Sequence, residues 1–156
     1  MKKILLSFFA SAAFLTTTAQ YSQNFDGTEA SLTGNCWTLV DVHTTTAAAN
    51  VITGTASMLT DPPTSAVTRN LITPALNITS TSLNISFNYK LTNTLNSSAT
   101  RFIQVGLLDP AGNFTLLHTI NMNSSTPTSV FNFNQTFNPV STGWRKIALR
   151  AGGSGG

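Results

Sequence analysis

Between residues 82 and 92 the side chains alternate. Leu83, Ile85, Phe87, Tyr89 and Leu91 share one parity, and Asn84, Ser86, Asn88 and Lys90 share the other. A period of two over that length predicts a β-strand with one face buried and one face wet. Residues 100–108 repeat the pattern, with Ile103, Val105 and Leu107 alternating and Phe102 on the opposite face. The run 109–113, Asp-Pro-Ala-Gly-Asn, predicts a hairpin loop into a strand over 114–120. After a polar turn, 130–137 places Phe131, Phe133 and Phe137 on one parity, and Asn138-Pro139 ends that strand. Over 143–150, Ile147 and Leu149 point inward, while Trp144, Lys146, Ala148 and Arg150 share the opposite face.

Earlier strands are shorter. Residues 21–25 read as a strand stopped by Asp26-Gly27, 36–42 as a second, and 50–59 as a third with Gly54 at a bulge or turn. Residues 61–64, Asp-Pro-Pro-Thr, form a loop. Pro74 cannot donate to a sheet ladder, so it places 71–76 at an edge or a strand end. No 3.6-residue period appears beyond the amino-terminal segment. About eight or nine short strands with regular turns predict an all-β fold, an antiparallel β-sandwich of jelly-roll type. The domain is expected over 20–151, followed by a Gly/Ser tail, 152–156, without packing capacity.

The first residues have a different design. Lys2 and Lys3 precede an apolar run from Ile4 to Leu15, then three threonines and Ala19. A basic start, a short apolar stretch and small residues at a cut site identify a signal peptide over 1–19. The run is too short to cross about 30 Å of hydrocarbon as an anchor. The mature chain is therefore expected outside the cytoplasm, secreted or on the outer cell surface, with no transmembrane span.

Composition sharpens this picture. Charged residues make up 8% of the 156 residues and hydrophobic ones 41%, while Thr, Ser and Asn together exceed a third. That excludes charged helical bundles and disordered polar chains, and it suits strands joined by Asn and Ser turns. The formal charge of +3 includes Lys2 and Lys3. Without them, six cations face five carboxylates, which removes the electrostatic basis for nucleic-acid binding. Cys36 is the single cysteine, so no intrachain disulfide forms, and it is expected as a small buried hydrophobe.

Little chemistry is available. His43 and His118 lie 75 positions apart with no zinc-ligand spacing, and no Gly-x-Ser-x-Gly elbow is present. Neither Asp26 with Glu29 nor Asp41 with Asp61 stands out as a glycosidase pair. No enzyme activity is expected. Aromatic rings that cover the apolar face of a sugar are the better candidates. Trp144 is the best exposed ring by parity, with Trp37 second, although Trp37 beside Cys36 also suits a core or rim position.

The order of several short pieces adds a resemblance. Asn24-Phe25-Asp26 is followed by Cys36-Trp37-Thr38, then Leu71-Ile72-Thr73-Pro74, then residues 83–90, Leu-Asn-Ile-Ser-Phe-Asn-Tyr-Lys. This series resembles the cleaved-adhesin or choice-of-anchor domains, MAM-like jelly rolls of exported bacterial surface proteins associated with type IX secretion. The resemblance covers nearly all of 21–150. It implies a non-catalytic adhesion or carbohydrate-binding module with glycans or cell-surface polymers as partners. The alternative is a structural spacer within a larger secreted protein. It also implies a calcium ion shared by an early Asp and one on a last strand, for which only Asp26 matches. Family members continue into a further strand carrying an Asp-Asp pair, whereas here the chain runs into Gly152. On that reading the strand at 21–25 loses its neighbour, and its open edge invites pairing with a second copy.

Overall fold

The computed structural model describes residues 21–60 and 69–154. The expected signal peptide and the loop at 61–64 lie outside the described residues. The elements are one short helix, α1 (Glu29–Gly34), and ten strands: β1 (Thr38–Val40), β2 (His43–Thr45), β3 (Ser57–Leu59), β4 (Arg69–Ile72), β5 (Leu76–Ile78), β6 (Leu83–Tyr89), β7 (Thr100–Leu108), β8 (Phe114–Met122), β9 (Phe131–Phe137) and β10 (Gly143–Ser154). All strand pairs are antiparallel. The all-β expectation holds.

The main sheet has the order β1-β4-β10-β7-β8, with β5 pairing with β10 ahead of β4. The strand β10 is its spine. It pairs with β7 over Lys146–Leu108 to Ser154–Thr100, and with both β5 and β4 on its other side. Pro74 falls in the break between β4 and β5, as its missing N–H requires. Across that break Thr73 replaces the ladder: its N–H donates to the Ile147 carbonyl, and its Oγ1 accepts from the Ile147 N–H at 2.9 Å.

A second layer covers one face of this sheet. It is a two-stranded sheet in which β6 and β9 pair Leu83 with Phe137 through Tyr89 with Phe131. It sets Ile85 and Phe133 against Val105 and Ile120, with Ile147 and Leu149 packed alongside. Rings stack between these strands, Phe87 on Phe133 at 4.9 Å and Tyr89 on Phe131 at 5.4 Å between centroids. Next to it, Leu32 of α1, Trp37 and Leu71 form a second cluster that includes Phe25, Leu39 and Met58. The inward parities of β6, β7, β9 and β10 are those of the sequence pattern. The strand at 82–92 is shorter at both ends, Leu83–Tyr89.

Four expectations are corrected. Residues 21–25 are not a strand. Phe25 has φ 61°, and the Gln23 and Asn24 side chains accept from the Phe25 and Asp26 N–H groups, so local bonds replace a ladder. The edge expected there for self-association is therefore not a strand edge. A helix, α1, follows, capped by Thr28, whose side chain accepts from the Ser31 N–H. Six residues are too few to show a helical period.

Cys36 is exposed rather than buried. It lies in the left-handed position that ends α1: its N–H bonds the Thr33 carbonyl, and the Trp37 N–H bonds the Leu32 carbonyl. This double closure is a Schellman motif, and it carries Trp37 onto Leu32.

The segment expected as a tail from 152 begins inside β10. Gly152 and Gly153 are buried and pair with Phe102 and Arg101. Glycine is required for this contact, since a Cβ at Gly152 would strike the Phe102 ring and one at Gly106 the Phe114 ring. These glycines let two phenyl rings lie flat on the outer face of the sheet.

Candidate functional site

The two layers differ on their outward faces. On the β6–β9 sheet that face carries Asn84, Ser86 and Asn88 against Thr136, Asn134 and Asn132. The amides bond one another: Asn84 Nδ2 donates to Asn134 Oδ1 at 3.0 Å and Asn132 Nδ2 to Asn88 Oδ1 at 2.8 Å. This face is exposed, and part of its hydrogen-bonding capacity is used between its own side chains.

The outward face of the main sheet is aromatic and cationic. Parity puts Trp144, Lys146, Ala148, Arg150 and Gly152 of β10 on it, opposite Ile147 and Leu149, which enter the core. Phe102 and Phe114 lie over the glycines beside them. The Arg150 guanidinium stacks on Phe114, 3.8 Å from the ring centroid. Leu116 is 49% exposed and Trp144 is 60% exposed.

Trp144 stands at the end of this face, where β10 pairs with β5 at Asn77. Beside it is a hollow of about 210 Å³ bounded by Ala75, Leu108, Asp109, Pro110, Arg145 and Lys146. A second hollow of about 180 Å³ lies across Asp109 and Arg145, next to Thr115, Val140 and Ser141. Both are below the 300–1,000 Å³ usual for enclosed small-molecule pockets. They suit a ring laid on a platform with its edge in a shallow recess.

The hairpin loop forms a fixed rim. Asp109 Oδ1 accepts from the Asn113 N–H at 2.8 Å, and Oδ2 from Asn113 Nδ2 at 2.9 Å. These bonds hold its carboxyl below the ordinary aspartate range, the Asn113 side chain contributing most and nearby Arg145 least. Arg145 Nη1 donates to the Trp144 carbonyl at 2.8 Å, which holds its side chain back along the strand.

The other candidates are located elsewhere. Trp37 is 6% exposed, with Phe25 edge-on at 5.2 Å and its Nε1–H donated to Tyr21 Oη at 3.1 Å. Its faces are covered by packing, so it leaves the ligand-binding set. Asp26 is a clamp between loops: its Oδ1 accepts from the Thr55 and Ala56 N–H groups at 2.6 and 3.1 Å, and its Oδ2 from Asn24 Nδ2. Those backbone bonds lower its pKa. Calcium takes six to eight oxygen ligands. Among the described residues no three His, Cys, Asp or Glu side chains converge, and the surroundings of Asp26, rich in N–H donors, do not fit that ion.

Trp144 was legible from parity. The partner rings Phe114 and Phe102 were not, because their exposure depends on glycines from other positions in the fold. Comparison with models of protein families gives no match, and comparison with curated proteins gives none. No helix among the described residues is long and apolar enough to cross a membrane.

Proposed function

We propose that the chain is a jelly-roll-type sandwich domain of an exported surface protein, and that it acts without catalysis by adhering to carbohydrate through Trp144 and the sheet face around it. The observation that carries this reading is the 60% exposure of the Trp144 indole beside an apolar hollow. A sugar presents an apolar face of C–H groups that an aromatic ring covers, while polar groups at the rim fix its orientation. Asp109, Asn113 and Lys146 supply that rim.

The spacer reading draws support from the opposite layer, whose amides bond one another across the strands. A glycan array probed with the mature chain separates the two. Trp144→Ala is expected to abolish the signal without moving the melting temperature, while Asn88→Ala on the opposite layer leaves it intact. A wild-type chain silent on every glycan favours the spacer.

A further inference from the structure

We propose that the polymer recognised on this face is an anionic polysaccharide, lying along β10 from Trp144 past Lys146 to Arg150. This rests on the carbohydrate-binding reading and adds the class of sugar.

The basis is the distribution of partners among the cations. Arg69 pairs with Asp41. Lys90 Nζ is bound by the Ala49 and Val51 carbonyls. Arg101 bonds the Thr100 carbonyl. Arg145 bonds the Trp144 carbonyl and lies within the field of Asp109. For Lys146 and Arg150, no hydrogen bond or ion pair is formed among the described residues, apart from the stacking of Arg150 on Phe114. Both are half-buried on the same outward row of β10 as Trp144. Two half-buried cations that form no ion pair, on the same row as the exposed Trp144 ring, favour a ligand that brings its own negative charge. Stacking on Phe114 covers the flat of the guanidinium and leaves its N–H edge free to fork a carboxylate or sulfate.

Spacing selects among anionic polymers. At about 3.3 Å per residue, Lys146 and Arg150 are roughly 13 Å apart along the strand, and Trp144 to Arg150 spans roughly 20 Å. A nucleic-acid strand carries a phosphate about every 3.4 Å, far more charge than two cations at this separation can neutralise. A polysaccharide with acidic groups between sugar faces matches a row in which rings and single cations alternate. The chemistry shared by uronate and sulfate esters is an oxyanion on a sugar ring.

Affinity electrophoresis of the chain in gels containing polygalacturonate, dextran sulfate, neutral dextran or single-stranded DNA tests this. Retardation is expected in one or both anionic polysaccharides, weaker in dextran and DNA, and falling as salt rises. The polygalacturonate and dextran sulfate arms identify which oxyanion is preferred. Lys146→Gln is expected to weaken anionic binding about threefold, and Lys146→Gln with Arg150→Gln about tenfold, the scale of exposed ion pairs. Retardation by dextran is expected to fall less than retardation by the anionic polymers. The single variant leaves the Arg150–Phe114 stack in place, so the test survives if the double variant folds poorly. Equal retardation by neutral and acidic polymers, unaffected by Lys146→Gln but lost in Trp144→Ala, would overturn the anionic class and leave the carbohydrate reading standing. Binding indifferent to Trp144→Ala would overturn both. Tighter binding to DNA than to any polysaccharide would overturn the ligand class.

Discussion

Asp26 shows how one side chain can organise a region that lacks regular structure. Its carboxylate takes two backbone N–H groups from Thr55 and Ala56, some 29 residues away in sequence. These bonds favour the ionised form, so the folded pKa lies below the ordinary value of about 3.9. A group with a depressed folded pKa contributes fully above its unfolded pKa, and that contribution is lost as pH falls through the folded value. The wild-type chain should therefore lose stability on acidification below about pH 4, and Asp26→Asn should show less of that loss. Urea unfolding midpoints of both chains between neutral pH and pH 3 check this; parallel curves would remove Asp26 from the account. The carboxylate is exposed, so the effect is expected to be small and reduced by salt.

At the scale of elements, the β6–β9 sheet turns one set of residues to the core and the other to solvent. Phe133 is buried against Ile85 and Val105, so Phe133→Ala should cost about 3–5 kcal/mol. Asn88 faces water and bonds only Asn132, so Asn88→Ala should cost about 0.5 kcal/mol or less. Equal shifts in the unfolding midpoint would contradict the register. The strand β8 raises a different issue. It closes one edge of the main sheet, and its nine residues include no charge and no proline. Protective charges and prolines are what keep such edges from pairing. Self-association through β8 is expected at high concentration, suppressed by Leu116→Lys. Sedimentation across a concentration series reads this directly, and a wild-type chain that stays monomeric throughout would contradict it.

At the scale of the whole molecule, the two-layer arrangement gives one polar face, whose amides bond one another, and one aromatic, cationic face, on which the proposed binding rests. The proposed export belongs to this scale as well, since an adhesion face needs access to an outer surface. Material recovered after export should begin at Gln20 or Tyr21 by mass spectrometry; an exported chain retaining Met1 would contradict the signal peptide. The tryptophans show why whole-molecule context matters. Trp37 and Trp144 each follow a residue that locally looks like the start of a strand, yet one is sealed in the core and the other exposed.

What the sequence determined alone was whatever depends on neighbours one or two positions apart. The alternation at Leu83, Ile85 and Phe87, the inward Ile147 and Leu149, the Asp109–Asn113 loop and the strand break at Pro74 follow from side-chain parity and backbone chemistry, which are local. Tertiary structure decided what depends on residues far apart in the chain. Asp26 found its N–H partners in another loop, Trp37 was turned inward by the closure of α1 at Cys36, and Gly152 was drawn into β10 because its missing Cβ admits the Phe102 ring. The outward aromatic face arose in the same way. Rings from β7 and β8 settle over glycines of β10 and β7, a match between strands that no single stretch of sequence contains, because it exists only once the register between those strands is set.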